Sequence, residues 1–136
     1  MSKKTFVIFG LLVIFLAVLI PWLAFRSDGD AARGAQEIPS GLKEGQDLFQ
    51  TNCGNCHTLY AAGTDGNFAP DLDELLSPSG PAEDEAAIKG IEKRVLNAIE
   101  NGVDSSTTAG RMPPGILSGE QAEEVAEFVA TTAGEG

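Results

Sequence analysis

Cys53-Gly54-Asn55-Cys56-His57 places two thiols one helical turn apart with an imidazole directly after them. This is the C-x-x-C-H spacing of covalent c-type haem attachment. Positions three apart on a helical turn face the same side, so both sulfurs can reach the two vinyl groups on one edge of a porphyrin, and the next residue lies under the iron. His57 is then the proximal nitrogen ligand, and it is the only histidine in the chain. A haem held by two histidines is therefore excluded within one molecule.

The same residues admit other chemistry, and each alternative lacks a part. A thioredoxin-like dithiol requires a strand before the motif and a βαβ setting, which the surrounding sequence does not offer. A structural zinc site closes with four nitrogen or sulfur ligands, and two cysteines and one histidine leave it one short. A disulfide across C-x-x-C closes too short a loop to restrain the unfolded chain appreciably.

The sixth ligand, if the protein supplies it, must come from the two methionines, one of which is the initiator. Met112 is the candidate, in a loop stiffened by Pro113 and Pro114. A His/Met pair raises the reduction potential. The competing reading is a packed loop methionine with the sixth position open or water-filled, as a haem-based ligand sensor would need.

The elements that must position these groups are helical. Leu42, Gly45, Leu48 and Phe49 recur at the spacing of one helix face, which predicts a helix over about 41–51 with Ser40 as N-cap and Gly45 at a close helix crossing. The stretch 58–76 loses periodicity and reads as loop followed by a short helix over Leu72–Leu76. A middle helix is expected from about Glu83 to Asn101. Its apolar stripe is Ala87, Ile88, Ile91, Val95, Leu96 and Ile99, with Gly102 just past its end and Glu83, Asp84 and Glu85 complementing its N-terminal dipole. Val103 to Leu117 is a second loop. The last helix is expected to open on a capping box of Ser118 and Gln121 and to bury Ala122, Val125, Ala126, Phe128 and Val129. No strand-forming run stands out.

Ahead of this lies an uncharged apolar run, Phe6 to Phe25, long enough to cross a bilayer as a helix. Lys3 and Lys4 before it keep residues 1–5 cytoplasmic and send the remainder outside, and Trp22 suits an interfacial anchor. A cleaved signal peptide competes with this reading. Its apolar core would be shorter and followed by a small-x-small site, whereas this run ends in Trp22-Leu23-Ala24-Phe25-Arg26, so a retained anchor over 6–25 is favoured. Residues 26–39 then form a flexible tether that spans at most about 45–50 Å, leading to a haem domain over 40–136.

Residues 1–36 hold Lys3, Lys4, Arg26 and Arg33 against Asp28 and Asp30, so of the net −11 the remaining residues 37–136 carry −13. Nucleic acid and anionic surfaces are repelled by such a domain, while a basic patch on a protein partner is steered towards it. No small-molecule substrate is expected. Acidic residues that merely keep the domain soluble are the plainer explanation of the same charge.

Gly45-x-x-Leu48-Phe49, Cys53-x-x-Cys56-His57, Pro70-x-Leu72, Met112-Pro113 and a C-terminal helix with an aromatic residue together resemble a class I c-type cytochrome domain over about residues 40–131. The resemblance implies an all-α, cytochrome c-like fold around one covalently bound haem c. It also implies a crossing of the first and last helices of the domain at Gly45, Phe49 and Phe128. The Pro70 carbonyl would accept the Nδ1 proton of His57, and Leu72 would pack on the ring. Ala69 stands where the family usually has glycine, and no tryptophan is available to bond a haem propionate. Tyr60 or Arg111 could take that part, although for Arg111 an exposed counter-charge is the simpler role.

The function implied is transfer of single electrons between respiratory complexes, from a quinol-oxidising complex to a terminal oxidase or similar acceptor, by a carrier that is not itself an enzyme. The layout, with Phe68-Ala69-Pro70 and Met112-Pro113, is also similar to the cytochrome subunits of nitric oxide reductases and terminal oxidases, which gives the alternative of a subunit in a larger enzyme.

Overall fold

A computed structural model describes residues 3–26, 38–104 and 111–136, with side chains along the first helix described at Lys4 and 7–22. The chain divides into two compact units, Met1–Ala35 and Gln36–Gly136.

The first unit contains α1, Lys3–Arg26. Its described large side chains, among them Val7, Phe9, Leu11, Ile14, Phe15 and Val18, are exposed. Pro21 lies near the C-terminal end of this helix. The transmembrane span expected over 6–25 is not met among the described residues, where no helix is long and apolar enough to cross a membrane. The tether expected over 26–39 lies for the most part outside the described residues.

The second unit is a helical shell. A 3₁₀ turn, Ser40–Leu42, leads into α2, Lys43–Asn52. The short helix α3 is Leu72–Leu76, α4 is Glu85–Asn101 and α5 is Glu120–Thr132. One small antiparallel pair, β1 Thr58–Leu59 with β2 Thr64–Asp65, joins Thr58 to Asp65 and Leu59 to Thr64. It was not expected, because two-residue strands carry too little alternation to show in a sequence.

The last helix organises the core, packing on α4 and on α2. Ala122, Val125, Ala126, Phe128 and Val129 are buried as expected. At the α2–α5 crossing a Cβ on Gly45 would come within 2.8 Å of the Phe128 Cβ and run into the Glu124 backbone, so the crossing depends on the missing side chain. Beside it the rings of Phe49 and Phe128 meet with centroids 6.1 Å apart, tilted by 59°, a favourable aromatic arrangement.

Three details of the helix ends differ from expectation. Ser40 caps nothing; it sits inside the 3₁₀ turn, and α2 starts without a side-chain cap. The Ser118–Gln121 capping box does not form, because Gly119 takes the N-cap position at φ +59°, a left-handed conformation that leaves Ser118 one residue too early. The middle helix begins at Glu85, with Asp84 accepting from the Ala87 N–H at 3.2 Å. Ala87 itself is exposed, and the stripe is carried by half-buried Ile88, Ile91, Val95 and Leu96 and buried Ile99.

The C-terminus is pinned by Asp73, a buried residue of α3. Its carboxylate accepts from the Tyr60 N–H at 2.8 Å and from the Gly134 N–H at 2.7 Å. Beside it Glu135 has a buried Oε2 without a hydrogen-bonding partner. Burial first, and then the charge of Asp73, push the Glu135 carboxyl above its ordinary value of 4.5. A carboxyl raised on folding binds its proton more tightly in the folded state, so its contribution to stability is full below the unfolded value and is lost as pH rises through the folded one. Glu135→Gln is therefore expected to stabilise the domain at neutral pH, by less than about 1 kcal/mol for a partly solvated group, and to have no effect at pH 3. Urea titrations at the two pH values check this; equal effects at both would refute it.

Candidate haem site

The cysteine motif begins where α2 ends. Cys53 continues the helix with its N–H to the Phe49 carbonyl (2.8 Å), and the chain then turns tightly, with Cys56 and His57 N–H both directed at the Cys53 carbonyl (3.0 and 2.9 Å). This turn is what puts the two cysteines and the histidine on one local scaffold. It is braced by backbone contact: the Ala69 N–H donates to the Cys56 carbonyl at 2.9 Å. A Cβ on Gly66 would lie 2.5 Å from the Cys56 carbonyl carbon and 2.7 Å from that of Asn55.

His57 is half-buried, and its Nδ1 lies 2.8 Å from the Pro70 carbonyl oxygen. A carbonyl can only accept, so Nδ1 carries the proton, and in the neutral ring Nε2 keeps its lone pair for a metal. Pro70 holds this carbonyl in place from the segment entering α3, whose N-cap Asp71 accepts from the Asp73 and Glu74 N–H groups. Leu72 and Met112 are half-buried and pack against the core cluster.

Cys53 and Cys56 are both free. Burial first, and then the neighbouring Cys56, push the Cys53 thiol up to about 11. Redox-active C-x-x-C thiols have lowered, not raised, values, so the site is a poor dithiol oxidoreductase. Among the described residues no group of three or more His, Cys, Asp or Glu is arranged to hold a bare metal ion, which leaves zinc without a ligand set. Two unpaired sulfurs beside an imidazole whose Nε2 is free do fit a covalently attached haem.

Met112 is tied to Val103 by an antiparallel backbone bridge. Arg111 pairs with Asp104 at 2.8 Å, both side chains largely exposed, which is the counter-charge role. The Tyr60 side chain is partly exposed, and its backbone N–H donates to the Asp73 carboxylate.

Positioning residues not anticipated from the sequence are Gln46 and Gln50. Their amides donate to the Ala61 carbonyl (2.9 Å) and the Ala62 carbonyl (2.8 Å), holding the 3₁₀ turn Tyr60–Ala62 that follows the histidine. Thr58 adds a hydroxyl bond to the Gly66 carbonyl at 3.0 Å. The i, i+4 spacing of the two glutamines was the available signal, but nothing in it names a carbonyl partner.

This combination of a helical shell, an α2–α5 crossing at a glycine and a C-x-x-C-H turn defines a c-type cytochrome domain. The chain belongs to the cytochrome c family, whose profile matches residues 42–133, and it accordingly carries covalently bound haem c. The crystal structure of the c-type cytochrome SorU from Sinorhizobium meliloti is similar, with 33% identity, a TM-score of 0.51, and coverage of 69% of this chain and 92% of that one. Photosystem II extrinsic protein V from two Prochlorococcus marinus strains, MIT 9303 and MIT 9313, is 30% identical over 115 residues, 82% of this chain. The match spans 65% of the length of those curated relatives.

Proposed function

We propose that this protein is a membrane-tethered monohaem electron carrier, passing single electrons between respiratory complexes on the extracytoplasmic side of a cell membrane. In this reading Cys53 and Cys56 form the two thioether bonds, and His57 and Met112 are the axial ligands. Pro70 orients the histidine, and Leu72 lines the ring. The haem supplies a one-electron Fe(III)/Fe(II) couple. The observation that carries the reading is the 2.8 Å contact of His57 Nδ1 with the Pro70 carbonyl, which leaves one nitrogen, and one orientation of it, for iron.

The chain's own contribution is rigidity and water exclusion. Buried Phe49, Leu59, Val125, Phe128 and Val129 give a packed interior behind the motif, and such an interior changes little when the iron gains or loses one charge. The −13 net charge of residues 37–136 supports docking on basic patches of protein partners. Carboxylates crowd where α2 meets α5: burial and then Glu44, Glu120 and Glu127 push the Glu124 carboxyl above its ordinary value.

The anchor is supported by the sequence. The uncharged apolar run extends from Phe6 through Phe25. As a helix this run would extend about 30 Å at 1.5 Å per residue, the thickness of a hydrocarbon core.

A second reading, the electron-input subunit of a larger enzyme, is favoured by the curated relatives, whose name assigns them to photosystem II. Extraction of the full chain from membranes of its host separates the two. The carrier is expected to resist a high-salt wash, to require detergent, and to elute as a lone haem protein. A stoichiometric larger partner would replace the carrier with the subunit, and full release by salt would remove the anchor.

A further inference from the structure

Among the described residues, the hydrogen bonds that secure the segment carrying Met112 are backbone bonds. The Val103 N–H donates to the Met112 carbonyl at 3.0 Å, and the Met112 N–H donates to the Val103 carbonyl at 3.1 Å, closing an antiparallel bridge. Directly after the prolines, the Gly115 N–H donates to the Ile99 carbonyl at 2.8 Å. Pro113 and Pro114 have no N–H to give, so these bonds on either side of them tie the whole Met-Pro-Pro stretch to the C-terminal end of α4.

Gly102 makes that attachment possible. It terminates α4 at φ +72° and ψ 175°, a region populated essentially by glycine. A Cβ there would lie 2.6 Å from the Met112 carbonyl oxygen and 2.9 Å from the Pro114 nitrogen. Two independent demands, conformation and space, therefore fall on one residue, and both concern the methionine segment. The Asp104–Arg111 ion pair spans the base of the same loop at 2.8 Å, but its side chains are 76% and 72% exposed, where solvent screens such pairs.

We infer that Gly102 and the Val103 backbone are positioning residues for the sixth iron ligand: the end of α4 is a clamp that presents the Met112 sulfur, and opening the clamp releases it. This rests on the reading of Met112 as that ligand. The ion pair beside the clamp is dispensable.

The test is the long-wavelength sulfur-to-iron charge-transfer absorption of the oxidised holoprotein, with carbon monoxide binding to the reduced form as a second readout. Gly102→Ala is expected to keep its covalent haem and helix content while the absorption falls about tenfold or more, on the scale by which a strained backbone shifts an equilibrium. Carbon monoxide binding should then become rapid. Asp104→Asn is expected to leave both signals as in the wild type. Unchanged signals in Gly102→Ala would overturn the inference, and so would loss of the absorption in Asp104→Asn. Absence of the absorption from the wild type would instead overturn the assignment of Met112.

Should Gly102→Ala fail to fold, amide hydrogen exchange on the wild type decides. Displacing the sulfur with cyanide is expected to deprotect the Val103 and Met112 amides together, and retained protection of both would refute the clamp.

Discussion

Met112→Ala is expected to abolish the sulfur-to-iron charge-transfer absorption and to lower the midpoint potential sharply, while the haem stays attached to the polypeptide. A thioether is a weak donor that favours ferrous iron, so a His/Met pair raises the potential relative to stronger donors. Axial ligation spreads haem potentials over roughly 0.8 V, and loss of the sulfur should cost a substantial fraction of that span. Attachment should survive because it depends on the cysteine turn, whose bonds run to Phe49, Cys53 and Ala69 and none to Met112. Stability should suffer less than for a core truncation, since Met112 is only half-buried. A potentiometric titration of both proteins checks the claim. A midpoint and spectrum indistinguishable from wild type would show that the sixth ligand comes from elsewhere.

Phe128→Ala acts on stability in place of ligation. The ring is fully buried in the centre of α5 and packs on Phe49 across the glycine crossing. Removing such a ring typically costs about 3–5 kcal/mol, because the cavity collapses only in part. Domains of this size hold about 5–15 kcal/mol in total, so the loss takes a large share of the whole. The thermal midpoint should fall by roughly 12–40 °C, at about 4–8 °C per kcal/mol. Leu75→Ala, at a position 44% exposed, is the control and should stay within about 0.5 kcal/mol. Denaturant titrations followed by helix content give the comparison; a difference below 1 kcal/mol between the two variants would mean that the α2–α5 crossing is not the keystone of the domain.

How much of this was visible along the chain varies by feature. The short helix Leu72–Leu76 and the buried stripe of α5 were read with their correct residues, because the helical period of apolar residues is a local property. Helix starts were read less well. Ser118 and Ser40 have the chemistry of caps, yet the caps did not form, because Gly119 adopts a left-handed conformation and Ser40 was absorbed into a 3₁₀ turn. Capping is decided within one residue, and the entry direction of the chain settles it. The β1–β2 pair was invisible for want of length.

The haem-binding chemistry lies in five consecutive residues, and the charge of the domain lies in its composition, so both are properties of the polymer before it folds. Burial of an apolar stripe follows for the same reason, since water drives it wherever the helix comes to rest. What holds the reactive groups in place is another matter. The Gln46 and Gln50 amides on the turn after His57, the Asp73 carboxylate joining Tyr60 to Gly134, and the Gly102 clamp on Met112 are made mostly with backbone atoms. Every residue has a backbone carbonyl and, proline apart, an N–H, so no spacing of side chains can announce which carbonyl a donor will find; that choice exists only once the helices have crossed.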